Sequence, residues 1–373
     1  MAAPPSKRAH LDAQLMVLPT TTTPAAPSFL EFPTLRLEGA HVGLVLSCAF
    51  SPSGRQLASS SRDRSVALWS IGASCSHACS LKGHKGAVLR VAWLAEAGQL
   101  ATASADGNAA VWDSEAGALV RTLKGHGKIV NDVCASRRGA PLLASASDDG
   151  GLRAFLELPA GAAMSAPSTL LPPSPSAVLW DARSRHVAAQ VVPVGGHPLL
   201  SCAMDAEGGA LLCGGIDGAI SCFDLRGGGG GGGGGAPSAP AVPLFRIAAH
   251  GDGVCSLAFS PDGTRALSFA LDGSLSTFDV RPFCAAPSRQ LAAFSGATQS
   301  AEAALVRGGW SADGERVVCG SSDKTGRAWD AGSGQLLLSL PGHTGCVTEA
   351  CFHPSEGLIA TCGDRTVWLS EVQ

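Results

Sequence analysis

Serine, histidine and aspartate recur together along this chain at spacings that would suit nucleophilic hydrolysis. His41, Ser59 and Asp63 form one set, His84, Thr102 and Asp106 a second, and His126, Ser145 and Asp149 a third. A histidine oriented by a carboxylate can take the proton of a hydroxyl, which is the chemistry of an acyl-transfer triad. The repetition itself argues against that use. An esterase nucleophile sits on a single strained turn, and no Gly-x-Ser-x-Gly elbow occurs anywhere in the sequence. A brace, by contrast, is useful in every copy of a repeated unit. Trp69 and Trp112 each stand six residues after the aspartate of their set. Indole N–H, hydroxyl, imidazole and carboxylate can then form one hydrogen-bonded chain that ties a turn to its sheet.

Other chemistries fare no better. Asp323-Lys324-Thr325-Gly326 has the look of a phosphorylated-aspartate motif, but Arg327 follows and Trp329 again stands six residues after the aspartate. The glycine run 227–235 is not followed by Gly-Lys-Ser or Gly-Lys-Thr, so it reads as a tether rather than a phosphate cradle. None of the 13 cysteines forms a Cys-x-x-Cys pair. They read as small apolar core residues in a reduced compartment. Cys75, His77 and Cys79 fall in a predicted loop without the second pair of ligands that a zinc site requires. No metal, cofactor or small-molecule substrate is expected, and the chain is read as a non-enzyme.

The elements that position these residues follow from the repeat. The turn aspartates fall at Asp63, Asp106, Asp149, Asp217, Asp272, Asp323 and Asp364, and the first three are spaced by 43 residues. That is the length of one four-stranded WD40 blade. Ser51-Pro52-Ser53-Gly54 and Ser260-Pro261-Asp262-Gly263 each follow an alternating apolar run, which gives strand, tight turn, strand. The 47 glycines, 23 prolines and only 15% charged residues suit such a turn-rich β protein. The expected fold is therefore an all-β, seven-bladed WD40 β-propeller over residues 33–373, behind a disordered tail over 1–32. The longer intervals after Asp149 and Asp217 coincide with low-complexity insertions near 152–176 and 227–243. Leu35 to Leu37 has no earlier strands to join, so it is expected to supply the outermost strand of the last blade and close the ring.

The brace varies among the later repeats. In blade three the aromatic position is open between Phe155, at the normal spacing, and Trp180, which the strand-like run 178–183 favours. Phe223 and Phe278 replace tryptophan in blades four and five, and only His197 lies near the histidine position of blade four. Blade six offers Asp323 and Trp329. Blade seven offers His343, Thr361 and Asp364, with Trp368 four residues after the aspartate. Blades four, five and seven are expected to be the softer ones.

Several runs resemble more than the generic repeat. They include Arg137-Arg138-Gly139, Ser147-Asp148-Asp149-Gly150, Asp279-Val280-Arg281-Pro282-Phe283, Phe352-His353-Pro354 and Glu371-Val372-Gln373. From about residue 35 onward the chain resembles the spliceosomal WD40 family of the U5 small nuclear ribonucleoprotein. That resemblance implies a nuclear scaffold subunit acting in pre-mRNA splicing, bound to the large central spliceosomal protein and other components of the particle. The net charge of -3 leaves no basic footprint for a nucleic-acid backbone, so contact with RNA is expected to be indirect or weak. No apolar stretch of signal-peptide or membrane-spanning length is present. Arg62, Arg64, Arg137, Arg138, Asp148 and Lys324 are the candidate partner contacts on the turns. The alternative function is a substrate receptor of a cullin-type ubiquitin ligase. Trp180-Asp181-Ala182-Arg183, Phe223-Asp224-Leu225-Arg226 and Phe278-Asp279-Val280-Arg281 resemble the docking box of such receptors.

Overall fold

The computed structural model describes residues 34–72, 75–94, 98–138, 142–150, 152–156, 180–181, 189–191, 197–225, 243–284, 288–300 and 305–372. The tail 1–32 and the glycine run 227–235 lie outside them.

Seven sheets are present, built from antiparallel strands save for one parallel pair in the third, and each opens on a short inner strand. The inner strands are Val45–Phe50, Val88–Trp93, Val130–Ala135, Leu199–Met204, Val254–Phe259, Gly308–Trp310 and Val347–Phe352. Each touches the next and the last touches the first, so the array is a closed ring of seven blades. Burial follows the radius. Leu142–Ser147, a second strand, is buried at every position, because neighbouring blades cover both of its faces. Ala118–Leu123, an outer strand, is buried only at Leu123. Apolar side chains fill the space between blades. Leu68 and Leu81 of blade one pack with Val88, Leu100 and Trp112 of blade two, and Trp112 retains 2% exposure. Burying a ring of that size contributes about 3 kcal/mol.

Strand Thr34–Leu37 pairs antiparallel with Thr366–Glu371, with Thr34 opposite Ser370 and Leu37 opposite Val367. The expected closure of the last blade by the N-terminal strand is thus observed. It covers the edge of Thr366–Glu371 and gives the last blade its fourth strand.

Blade three departs from expectation. Leu152–Leu156 is its third strand, with Phe155 opposite Leu143. That is the register of Trp69 opposite Leu57 and Trp112 opposite Leu100. Trp180–Asp181 instead runs parallel to this strand at its outer side. Normal turn spacing therefore decides the position for Phe155 over Trp180, and the insertion starts after Leu156 rather than at Leu152.

Candidate functional site

The polar sets assemble as braces. In blade one the Trp69 indole donates to Ser59 Oγ at 2.8 Å, and His41 Nε2 lies 2.8 Å from the same oxygen. His41 Nδ1 faces Asp63 Oδ2 at 3.3 Å, and Asp63 also accepts the backbone N–H of Val42 at 2.9 Å. Blade two repeats the chain more tightly. There Trp112 donates to Thr102 at 2.9 Å, His84 Nε2 lies 2.7 Å from Thr102, and His84 Nδ1 lies 2.9 Å from Asp106. In blade three His126 bridges Ser145 at 2.8 Å and Asp149 at 3.0 Å.

The direction of these bonds fixes the proton. A carboxylate accepts only, so imidazole Nδ1–H donates to it and Nε2 accepts from the hydroxyl. That is the neutral tautomer, which burial favours in blade one. Burial pushes His41 below its ordinary range although Asp63 pulls the other way. Burial alone would raise Asp63, but bonds from Ser65 and Val42 and the proximity of His41 outweigh it and hold it at about 2. Ser59, Thr102 and Ser145 have no exposed surface, so no substrate can reach these hydroxyls. The arrangement ties strand to turn and does no more.

Where the histidine is missing, arginine takes its place. Asp217 of blade four is paired with Arg246 from the outer strand, and Asp323 of blade six with Arg327. His197 is exposed on the surface. In blade six Trp329 donates to the Ser295 carbonyl at 3.0 Å rather than to a hydroxyl, so Asp323 and Trp329 belong to separate contacts. In blade seven His343 reaches Thr361 at 3.1 Å but stands 3.7 Å from Asp364. Trp368 lies opposite Thr361 and donates to Thr366 at 3.1 Å, because the shorter turn shifts it off the usual register. Blade six thus also lacks a complete brace.

One brace histidine escaped the sequence pattern. His250 lies 2.7 Å from Ser268 and reaches Asp272 through the Ser274 hydroxyl, which donates to the carboxylate. It lacks a preceding glycine, which hid it. Its signal was the 18-residue interval from histidine to hydroxyl, the same as in His41–Ser59 and His84–Thr102.

The axis of the ring carries a second group that motif reading did not find. Six inner strands share a bulge one residue past their start, and in blades two, three and seven the next residue is Arg90, Asp132 or Glu349. A bulge re-aims side chains. Arg90 pairs with both carboxylates, at 3.2 Å to Asp132 and closely to Glu349. Glu349 accepts the N–H of Cys48 at 3.0 Å, and Asp132 that of Cys202 at 2.9 Å. From the far side, Arg307 donates to the Leu89 carbonyl at 3.1 Å and the Asn131 carbonyl at 2.8 Å. Two cations and two anions thus bridge non-adjacent blades. Burial pushes Asp132 up, and the Arg90 and Arg307 charges oppose it. The sequence signal was the common offset: each of Arg90, Asp132 and Glu349 stands two residues after the valine that opens its strand.

The candidate partner residues divide between two faces. Arg62, Arg64, Asp148 and Lys324 lie on the face of the aspartate turns. Arg137 and Arg138 lie on the other, where their N–H groups bond to the Ala206 carbonyl at 3.1 and 2.7 Å. Asp148 accepts from Asn131 at 2.6 Å. Arg64 and Lys324 have φ of 73° and 75°, at turn positions occupied elsewhere by Gly107, Gly150, Gly218 and Gly273. A Cβ in this region costs backbone energy, which Arg64 and Lys324 bear where glycine would not. Beside Arg64, Val42 is 77% exposed between two shallow grooves. One of about 520 Å³ is lined by Arg36, Arg365 and Trp368, the other of about 310 Å³ by Arg64, Lys82 and His84. His77 and Cys79 sit on strand Ser76–Lys82 rather than in a loop. Among the described residues no group of three or more histidine, cysteine or acidic side chains is placed to hold a metal.

Six stretches, 33–70, 75–113, 117–155, 241–279, 290–330 and 334–369, match the family described as WD domain, G-beta repeat. Each runs from an outer strand through three strands of the following blade, so the repeat interlocks neighbours. The chain is 36% identical over 350 residues to the U5 small nuclear ribonucleoprotein 40 kDa protein of Dictyostelium discoideum, covering 93% of this chain and 86% of that one. It is 34% identical over 351 residues to the human protein of the same name, covering 94% and 87%. The chain belongs to the U5 40 kDa family of WD-repeat proteins. Within this family it is also 33% identical over 346 residues to the pre-mRNA-splicing factor cwf17 of Schizosaccharomyces pombe, covering 92% and 89%. The third repeat match ends at Phe155, consistent with its strand register.

Proposed function

We infer that this chain is a subunit of the U5 small nuclear ribonucleoprotein, acting in pre-mRNA splicing as a protein-binding scaffold that catalyses no reaction. The observation that carries the reading is similarity at 33–36% identity over 92–94% of the chain to proteins named for that particle or for splicing. The architecture supports it. The recurring hydroxyl, imidazole and carboxylate groups are spent on internal braces, which leaves the rim and turns to meet other proteins.

The large central spliceosomal protein and other U5 components are the expected partners, and the nucleus the expected compartment. Contact with RNA is indirect, since the net charge of -3 offers no general attraction to phosphate. Tagged full-length chain purified from cells should enrich U5 RNA over other small nuclear RNAs, with spliceosomal proteins present by mass spectrometry. Recovery of U5 RNA no greater than that of an unrelated propeller would end this reading.

A further inference from the structure

We propose that Phe283 is the anchor by which this propeller docks into an apolar pocket of a folded protein partner. Phe283 is 96% exposed, the highest value of any large apolar residue described. An aromatic ring so placed gains by burying its area, and exposed rings on ordered loops are frequent anchors of interfaces.

The backbone leading up to it is held in place. It follows strand Leu275–Asp279 on the face opposite the aspartate turns. Arg281 folds back on the buried Asp279, with Nε at 3.1 and 3.0 Å from the two carboxylate oxygens and the backbone N–H at 2.9 Å. Arg289, at φ 53°, donates to the carbonyls of Arg281 at 2.6 Å and Pro282 at 3.3 Å. Its guanidinium lies 3.9 Å above the ring of Phe245, on the outer strand of blade four. Blades four and five therefore both fix the backbone immediately before Phe283. Leu244, next to Phe245 in the chain, and Leu291, two residues after Arg289, are also exposed, at 50% and 54%.

The charges of the patch decide the class of partner. Arg281 is compensated by Asp279, and Arg289 is committed to carbonyl oxygens and to an aromatic face. Neither cation is left to meet a phosphate, so a nucleic acid would gain only one stacking contact here. An uncharged apolar socket is the complement of a single ring on a compensated base. The proposal rests on the scaffold reading above in placing that socket on another protein of the same particle.

The test uses the full-length tagged chain with a photoreactive benzoylphenylalanine in place of Phe283, together with Phe283→Ala and Phe283→Trp. Because the side chain is exposed, all three should keep the wild-type melting temperature. The expected result is one protein adduct mapped to an apolar pocket, with Phe283→Ala retained in the particle at least tenfold less than wild type after a high-salt wash and Phe283→Trp retained nearly as well. An adduct to RNA, to residues 1–33 of the same chain or to a second copy would overturn it. So would the absence of any adduct, or equal retention of Phe283→Ala. Recovery of U5 RNA with the wild-type chain separately reports the scaffold reading. If that fails, the adduct is read on the whole extract, where it counts in favour only if filling the mapped pocket with a bulkier residue abolishes it.

Discussion

Arg90 of blade two and Glu349 of blade seven, 259 residues apart in sequence, form an ion pair across the axis of the ring. The same guanidinium holds Asp132, so one side chain links three blades. Removing one member of a buried pair leaves charge without compensation and costs about 3–5 kcal/mol. Arg90→Met should therefore lower stability by that amount in urea denaturation. Arg90→Met combined with Glu349→Gln should recover most of the loss, because the amide still accepts the Cys48 N–H and Asp132 remains to compensate Arg307. A single substitution with no effect on the midpoint would show that the cluster does not staple the ring.

Thr102 serves two buried donors or acceptors at once, Trp112 and His84. Thr102→Val keeps the shape and strands both, at a cost of about 2 kcal/mol or more. Thr102→Ser copies Ser59 and Ser145 and should stay within about 1 kcal/mol of wild type. Thermal unfolding of the two variants checks the order, and equal stabilities would refute the brace.

Acid should weaken the propeller in two stages. Burial pushes His41, His250 and His343 below 6.5, so the unfolded chain takes up these protons first. Their contribution is whole above about pH 6.5 and is lost as the pH falls from there through the folded values. Asp63, held near 2 against an ordinary 3.8, adds stability that is lost as the pH falls between those two values. Melting temperature should accordingly drop between about pH 7 and 5 and again below about pH 4. A midpoint unchanged down to about pH 5 would contradict the neutral buried histidines.

Leu37 is 4% exposed and Leu35 46% exposed on the same closing strand. Leu37→Asp puts a charge against Val367 and Leu369 and should destabilise by about 3 kcal/mol or more, with aggregation from the freed edge. Leu35→Asp should change little. Light scattering and thermal unfolding distinguish the two, and matching behaviour would show that the strand does not seal the ring.

Blade count and the complete braces of blades one and two were legible because seven turn aspartates recur, the first three 43 residues apart, with a glycine one or two residues before each early histidine; closure was legible because Leu35 to Leu37 has no earlier strand to join. Trp180 misled because a strand-like run outweighed the regular turn-to-aromatic spacing that Phe155 satisfies. His250 was hidden by its altered neighbour while its interval to Ser268 was kept. The axial cluster was harder to see, since it depends on bulges that turn Arg90, Asp132 and Glu349 inward from blades far apart in sequence. Arg137 and Arg138 parted from Arg62 and Arg64 for a similar reason: alternate turns of a blade lie on opposite faces.

The pairing of Leu37 with Val367 has a cost during synthesis. A ribosome needs roughly 20 to 60 seconds to deliver the residues between them. Throughout that interval the newborn chain is an arc whose two ends both await hydrogen bonds. Early blades must wait without recruiting the strands of neighbouring nascent chains, so chaperone demand should peak just before the C-terminal strand emerges.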